Sequence, residues 1–137
     1  MSPLPPLGWR ALLAVAAGGA IGATCRWGVD VIVRDAAQPL ALATLVVNVV
    51  GCLLMGLLVA LIVSDPGRHP LWRPFLGVGV LGGFTTFSAF AVDSVLLLRD
   101  GNIAWALAYV VASLAGSLVG VWGGFELGHA VRRARAS

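Results

Sequence analysis

The sequence predicts an all-α integral membrane protein with four transmembrane helices. Four long apolar segments, separated by short polar connections, occupy most of the 137 residues. Charged residues make up only 11% of the chain, less than half the share of about 25% that is usual in soluble domains. A chain with so few charges cannot cover a surface exposed to water, so we expect lipid to surround most of it. The apolar segments are continuous rather than alternating, which argues against a transmembrane β-barrel.

Each apolar segment is long enough to cross a hydrocarbon core, which takes roughly 20 helical residues at about 1.5 Å each. The connections contain turn residues: Pro39 ends the first, Pro66 and Gly67 lie in the second, and Asp100-Gly101 forms the third. Because all three are short, we expect consecutive helices to be antiparallel neighbours. The predicted helices cover residues about 9–33, 40–63, 71–98 and 103–127 of a single domain, residues 1–137.

The N-terminal segment has a competing interpretation as a cleavable signal peptide, because Arg10 precedes apolar residues and Ala14-Val15-Ala16 resembles a cleavage site. The apolar stretch before that site is too short, and the segment continues well past it. An even number of helices places both termini on one side of the membrane. Six of the nine arginines lie on that side, which favours termini inside the cell but is a modest bias. We therefore expect a multi-pass protein of the cell (inner) membrane. The six are Arg10, Arg68, Arg73, Arg132, Arg133 and Arg135.

Several classes of function are disfavoured by composition. The net charge of +3 lies in connections and tails, without the basic runs and interleaved aromatics that would indicate nucleic-acid binding. We find no nucleophile with a base, no paired carboxylates and no phosphate-binding loop, so an enzyme is not predicted. Cys25 and Cys52 are far apart in apolar segments and are interpreted as small apolar helix residues. His69 and His129 have no partner at metal-ligand spacing.

Polar residues inside the second segment share one helix face. Thr44, Asn48, Gly51, Cys52 and Met55 follow one another at spacings of three and four residues. Asn48 is the informative member because an amide in a membrane must be paired. It could form an interhelical hydrogen bond that holds the bundle together, or donate into a polar path, and the spacing alone does not decide.

The fourth segment has two overlapping stripes. Tyr109, Ser113 and Ser117 recur every four residues, and glycines recur at the same interval. The more common use of this pattern is a packing seam in which serines bond to the backbone of their own helix. A bulky tyrosine hydroxyl at the end of the stripe favours a lined polar track instead. The glycines are Gly116, Gly120 and Gly124.

The third segment contains the strongest signal. Gly82-Gly83 is followed by Thr85, Thr86 and Ser88 in the middle of the predicted membrane span, so we expect the helix to be broken there. Irregular backbone at membrane depth is tolerated where it lines a cavity or is buried in protein. Freed carbonyls would suit a hard cation such as Na⁺, and N–H groups and hydroxyls would suit an anion. A flexible packing patch is the alternative.

Two phenylalanines and one acid follow the predicted break. Phe87 and Phe90 share a helix face, and such ring edges carry partial positive charge that could line the path of an anion. Asp93 is the single acid deep in this segment. Asp93 could couple transport to protons, pair with an arginine, or lie near the helix end where its carboxylate reaches water. We favour the last two.

Together these motifs resemble the Fluc (CrcB) family of fluoride channels over nearly the whole chain. Four pieces carry the resemblance. They are GGAIGATCR at 18–26, TLVVNVVG at 44–51, GGFTTFSAF at 82–90, and the track of Tyr109, Ser113 and Ser117.

The resemblance implies an antiparallel, dual-topology homodimer of four-helix subunits with two parallel pores, through which fluoride leaves the cell passively. It implies that the backbone carbonyls of Gly82 and Thr85 coordinate a structural Na⁺ at the dimer centre. Arg26 would lie near a vestibule and attract anions. The residues implied to line or adjoin the pore are Asn48, Phe87, Phe90, Tyr109, Ser113, Ser117, Thr44 and Ser88.

The sequence departs from the family pattern at three positions. Ala89 replaces a frequent threonine, Ala91 a common serine, and Asp93 the usual glutamate. The rival from another class is a small proton-coupled multidrug-type exporter. It would need a carboxylate within the first helix, and residues 11–24 contain none. An accessory assembly subunit would fit the glycine seams but would leave the third segment unexplained.

Overall fold

The computed structural model describes residues 8–35, 40–63 and 69–136, and within these ranges all regular structure is helical. The first, second and fourth apolar segments are mainly α-helical, and the third is divided into shorter pieces. The α-helices are α1 (Trp9–Asp35), α2 (Leu40–Leu58), α3 (Gly82–Phe84), α4 (Phe87–Arg99) and α5 (Ile103–Ala136). Two π-helical segments complete the set: Val59–Val63, which continues α2, and Arg73–Leu81, which runs into α3.

Four helical stretches are long and apolar enough to span a membrane, as the sequence predicts. They cover Trp9–Val33, Ala41–Ile62, Arg73–Arg99 and Ile103–Arg135. The protein is therefore a multi-pass membrane protein. The fourth helix continues to Ala136, well past the end near residue 127 expected from hydropathy. Residues 128–136 contain no proline that would stop it.

The connections were predicted from turn residues. Those at residues 36–39 and 64–68 lie outside the described residues. The third connection is described: Gly101 adopts a positive φ of 75°, and the N–H groups of Gly101 and Asn102 donate to the carbonyls of Leu98 and Leu97, both at 3.1 Å. This is the tight turn predicted from Asp100-Gly101, because glycine reaches positive φ without steric cost.

A glycine seam joins α1 to the third segment. A side chain at Gly18 would collide with the backbone of Phe75, and one at Gly22 with the carbonyl oxygen of Val80. From the other side, a side chain at Gly83 would meet the backbone of α1. The two backbones therefore touch along this seam, which only glycines permit.

A second seam joins α2 to α5. Side chains at Gly120 and Gly124 would collide with the carbonyl oxygens of Val49 and Leu53 on α2. The packing interpretation of the glycine stripe in the fourth segment is thus confirmed. Farther along the same contact, Arg132 donates through Nη1 to the Ala60 carbonyl at 3.1 Å, so this arginine bonds to the π-helical end of the second segment.

Extended backbone separates α3 from α4 near the midpoint of the third segment. Thr85 has φ −75° and ψ 157°, and Thr86 has φ −149° and ψ 121°. Both residues are β-branched, which suits extended backbone better than helix. The last carbonyls of α3 and the first N–H groups of α4 consequently lose their helical partners, and other groups of the protein must pair with them.

Candidate functional site

A cavity of about 290 Å³ lies beside the extended residues of the third segment. Its walls come from α2, from the extended pair, from α4 and from α5. Sequence analysis proposed polar faces on these same three segments, and the fold brings them together. The lining residues are Asn48, Gly51, Cys52, Met55, Thr85, Thr86, Phe87, Phe90, Ser113, Leu114 and Ser117.

Asn48 forms a two-way hydrogen-bonded pair with the backbone of Thr86. Its Nδ2 donates to the Thr86 carbonyl at 2.9 Å, and its Oδ1 accepts from the Thr86 N–H at 2.9 Å. The amide thus replaces the backbone bonds that the extended pair cannot make. Since Nδ2 has two hydrogens, one remains for another acceptor. Asn48 links α2 to the third segment and also borders the cavity.

Thr86 has a structural role that the sequence analysis missed. Its side-chain oxygen accepts from the Ala89 N–H at 3.2 Å, which makes it the N-cap of α4. The same oxygen lies 3.2 Å from Ser88 Oγ. The available signal is a threonine directly before an apolar helical run, which the hydroxyl cluster around it obscures.

The carbonyls around the extended pair divide into two groups. Leu81 accepts from both the N–H and the hydroxyl of Thr85, each at 2.9 Å, and Gly83 accepts from Arg26 Nε at 3.2 Å. Gly82 loses its helical donor because the Thr86 N–H is bonded to Asn48. The Thr85 carbonyl likewise receives no hydrogen bond from the described residues, since the Ala89 N–H is bonded to Thr86 Oγ1. These two oxygens are available to a ligand.

Arg26 bonds to the backbone of the third segment. Its guanidinium is half-buried, and the bond to Gly83 places it at the carbonyl end of α3. The positive charge there opposes the partial negative charge of helical carbonyls without partners. The vestibule role inferred from the resemblance stays a prediction, and the geometry adds a positioning role.

Aromatic side chains form a row from the extended pair to α5. The ring centroids of Phe87 and Phe90 are 5.7 Å apart, and those of Phe90 and Tyr109 are 5.6 Å apart. Phe87 is 79% exposed in the single chain. The shared face of Phe87 and Phe90 predicted from spacing is therefore present, and it continues into the polar stripe of α5.

Asp93 occupies a position that neither favoured sequence interpretation describes. It is only 4% exposed, and its Oδ2 accepts from the Tyr109 hydroxyl at 3.3 Å. The observed partner is thus a tyrosine rather than an arginine, and the carboxylate does not reach the surface of the chain. Spacing on α4 could not reveal this contact, because it depends on how α4 packs against α5.

The remaining predicted residues separate into two sets. Ser113 and Ser117 border the cavity. Ser113 is 4% exposed, and its Oγ meets no partner at hydrogen-bonding geometry in the described part of the chain. Thr44 is buried on α2 and Ser88 is exposed on α4, and neither is among the residues that line the cavity.

Comparison with known proteins agrees with the geometry. Residues 13–125 match the family model described as CrcB-like protein, Camphor Resistance (CrcB). The chain belongs to the CrcB family. The matched range contains every residue that lines the cavity, together with Arg26 and Gly82.

Curated relatives of this CrcB protein are named as fluoride-specific ion channels. FluC of Paracoccus denitrificans (strain Pd 1222) is 48% identical over 116 residues, which cover 85% of this chain and 92% of the relative. FluC 2 of Thermobifida fusca (strain YX) is 44% identical over 115 residues, 84% and 85% of the two chains. FluC of Rhizobium meliloti (strain 1021) is 44% identical over 117 residues, 85% and 94%.

These matches confirm the resemblance recognised from the four motifs. They also support the expectation that the protein is not an enzyme, because the relatives are named as channels. The four helices of spanning length and the relatives named as ion channels together indicate a multi-pass membrane protein.

Proposed function

We propose that this CrcB protein is a fluoride-selective channel through which F⁻ leaves the cell passively across the cytoplasmic membrane, relieving fluoride toxicity. The observation that carries the proposal is the cavity, where neutral hydrogen-bond donors and phenylalanine rings meet and none of the described lining residues is charged. The names of the relatives supply the ion.

The physical basis is replacement of the hydration shell of the ion. Fluoride is small and holds water tightly, so a path must offer donors, and hydroxyl and amide groups donate without a fixed charge. Ser113, Ser117 and the second Nδ2 hydrogen of Asn48 are such donors. Conduction also requires release. A neutral lining with aromatic edges binds an anion more weakly than an arginine or lysine would.

The proposal includes a homodimer, which is supported by what one chain leaves uncovered. Phe87 is largely exposed, and the neighbouring hydroxyls of Thr86 and Ser88 lie at an exposed position in the middle of a membrane span. Hydroxyl groups facing hydrocarbon are costly, so a second copy would cover this region and close the path. The antiparallel, dual-topology arrangement comes from the family resemblance.

The discontinuity of the third helix is, in this proposal, a functional device that frees carbonyls at membrane depth. The Gly82 and Thr85 carbonyls, which receive no hydrogen bond from the described residues, would hold a structural Na⁺ at the dimer centre. Neutral carbonyl oxygens are the ligand type that hard cations prefer. Carbonyl oxygens from both subunits would coordinate the ion, and it would remain bound while fluoride passes.

The test is fluoride efflux from liposomes with Phe87→Ile, which removes a ring from the cavity wall. Phe125→Ile is the matched control, because Phe125 lies on α5 against His129 with ring centroids 4.4 Å apart and is not a lining residue. We expect the Phe87 variant to lose most fluoride efflux while it stays folded and dimeric, and the control to keep it. Equal efflux from both variants would contradict the assignment of this cavity as the path.

A further inference from the structure

Cys52 has a different environment from the one its sequence context suggested. The residue is half-buried and borders the cavity together with Asn48 and Met55. Cys25, the other cysteine of the chain, is exposed on α1 and is not a lining residue. Both cysteines lie in apolar helices, but only Cys52 borders the cavity proposed as the path.

Two sulfur atoms belong to the same cavity wall. Met55 follows Cys52 by three residues on α2, so both side chains lie on one face, and both border the cavity. Thiolate and thioether sulfurs are soft ligands that select soft metals. The described lining residues include no Asp, Glu or His, so they offer hard cations no side-chain carboxylate.

The cavity also contains a buried polar atom. The buried Ser113 Oγ, which meets no partner at hydrogen-bonding geometry among the described residues, belongs to its wall. Its volume of about 290 Å³ compares with a share of about 30 Å³ per water molecule in the liquid. The cavity therefore has room for a small neutral solute beside Cys52.

We propose that Cys52 is a modification site for soft thiophilic metals, mercury(II) in particular, with Met55 as a second sulfur ligand. With mercuric chloride the thiol forms an S–Hg bond while its S–H bond and one Hg–Cl bond break. The proton goes to buffer and the chloride to solution, and no atom changes oxidation state. The adduct occupies the cavity and, on the proposed function, obstructs fluoride.

The binding test uses the full chain in detergent and does not depend on transport. Cys25→Ala leaves Cys52 as the single cysteine, and Cys52→Ala leaves Cys25 as the matched control. After brief exposure to mercuric chloride, intact mass spectrometry should show one mercury per subunit in the Cys25→Ala protein. Adding Met55→Leu to that protein removes the second sulfur ligand. The glutathione concentration needed to remove mercury from the protein should then be severalfold lower. A folded Cys25→Ala protein without mercury would overturn the site.

The transport test uses the same proteins in liposomes. Mercuric chloride should lower fluoride efflux at least tenfold for the Cys25→Ala protein, dithiothreitol should restore it, and the Cys52→Ala protein should be insensitive. Cys52→Ser replaces Cys52→Ala if the latter does not fold. An adduct on Cys52 with undiminished efflux would overturn the obstruction. Untreated liposomes that release no fluoride would instead count against the proposed function, while the mass measurement would still decide the metal site.

Discussion

The pairing of Asn48 with Thr86 predicts a specific failure when the amide is removed. Asn48→Leu keeps a similar volume but deletes two hydrogen bonds of 2.9 Å. The N–H and carbonyl of Thr86 are then left without partners, at about 1–3 kcal/mol for each group. The sum is a destabilisation of roughly 2–6 kcal/mol, concentrated at the extended pair. A tenfold change in an equilibrium corresponds to about 1.4 kcal/mol, so local opening should rise at least tenfold.

Hydrogen exchange of the Thr86 amide measures this effect directly. In the unaltered protein this amide donates to Asn48 Oδ1 and should exchange slowly. In Asn48→Leu it should exchange at least tenfold faster, together with a lower unfolding temperature and strongly reduced fluoride efflux. Asn48→Asp keeps an acceptor for the Thr86 N–H but no donor for its carbonyl. It should therefore retain most of the amide protection and still lose efflux.

The control for this series is Thr24→Val. Thr24 bonds through its hydroxyl to the Ala20 carbonyl one turn earlier on its own helix, at an exposed position. Its removal deletes a polar group from a membrane helix without touching the third segment, so Thr86 exchange should not change. If Asn48→Leu left the exchange of the Thr86 amide and the unfolding temperature unaltered, the structural role assigned to Asn48 would be refuted.

Three further substitutions test other contacts. Gly22→Ala should lower the unfolding temperature in detergent, because overpacking against backbone costs roughly 1–3 kcal/mol. Gly19→Ala is the control and should not lower it, since a Cβ at Gly19 meets nothing within 4 Å. Equal effects of the two substitutions would contradict the α1 seam. Arg26→Leu should lower the free energy of unfolding by about 1–3 kcal/mol, because it leaves the Gly83 carbonyl unpaired. Arg26→Lys should lower it less, and thermal unfolding measures both effects. An Arg26→Leu protein as stable as the unaltered one would refute the positioning role. Asp93→Asn keeps an oxygen for its tyrosine partner and should retain passive fluoride efflux insensitive to a proton ionophore, while complete loss of transport would favour a proton-coupled carrier.

Much of the architecture follows from composition and periodicity alone. Four apolar segments of spanning length could only be transmembrane helices, and the Asp100-Gly101 turn was evident from its residues because the conformation there requires glycine. The glycine stripe of the fourth segment indicated a close backbone contact, and the structure supplies its partner on α2. These features are local, so the sequence contains them directly.

The details of the site depend on contacts between segments and were less accessible. Spacing alone does not decide whether Asn48 forms an interhelical hydrogen bond or donates into a polar path. The structure shows that it bonds to Thr86 and also borders the cavity. The partner of Asp93 was misjudged because Tyr109 is sixteen residues away along the chain. The contact between Arg26 and Gly83 was likewise invisible, since it arises from the α1 seam.

The most direct measurement compares fluoride and chloride efflux from liposomes that contain the unaltered protein. Valinomycin with a potassium gradient supplies the balancing charge, and an ion-selective electrode follows release of each anion. We predict rapid fluoride release that requires valinomycin, together with chloride release close to that of protein-free liposomes. Equal release of both anions, or no fluoride release from folded and dimeric protein, would contradict a fluoride-selective path through the cavity beside Asn48 and Phe87.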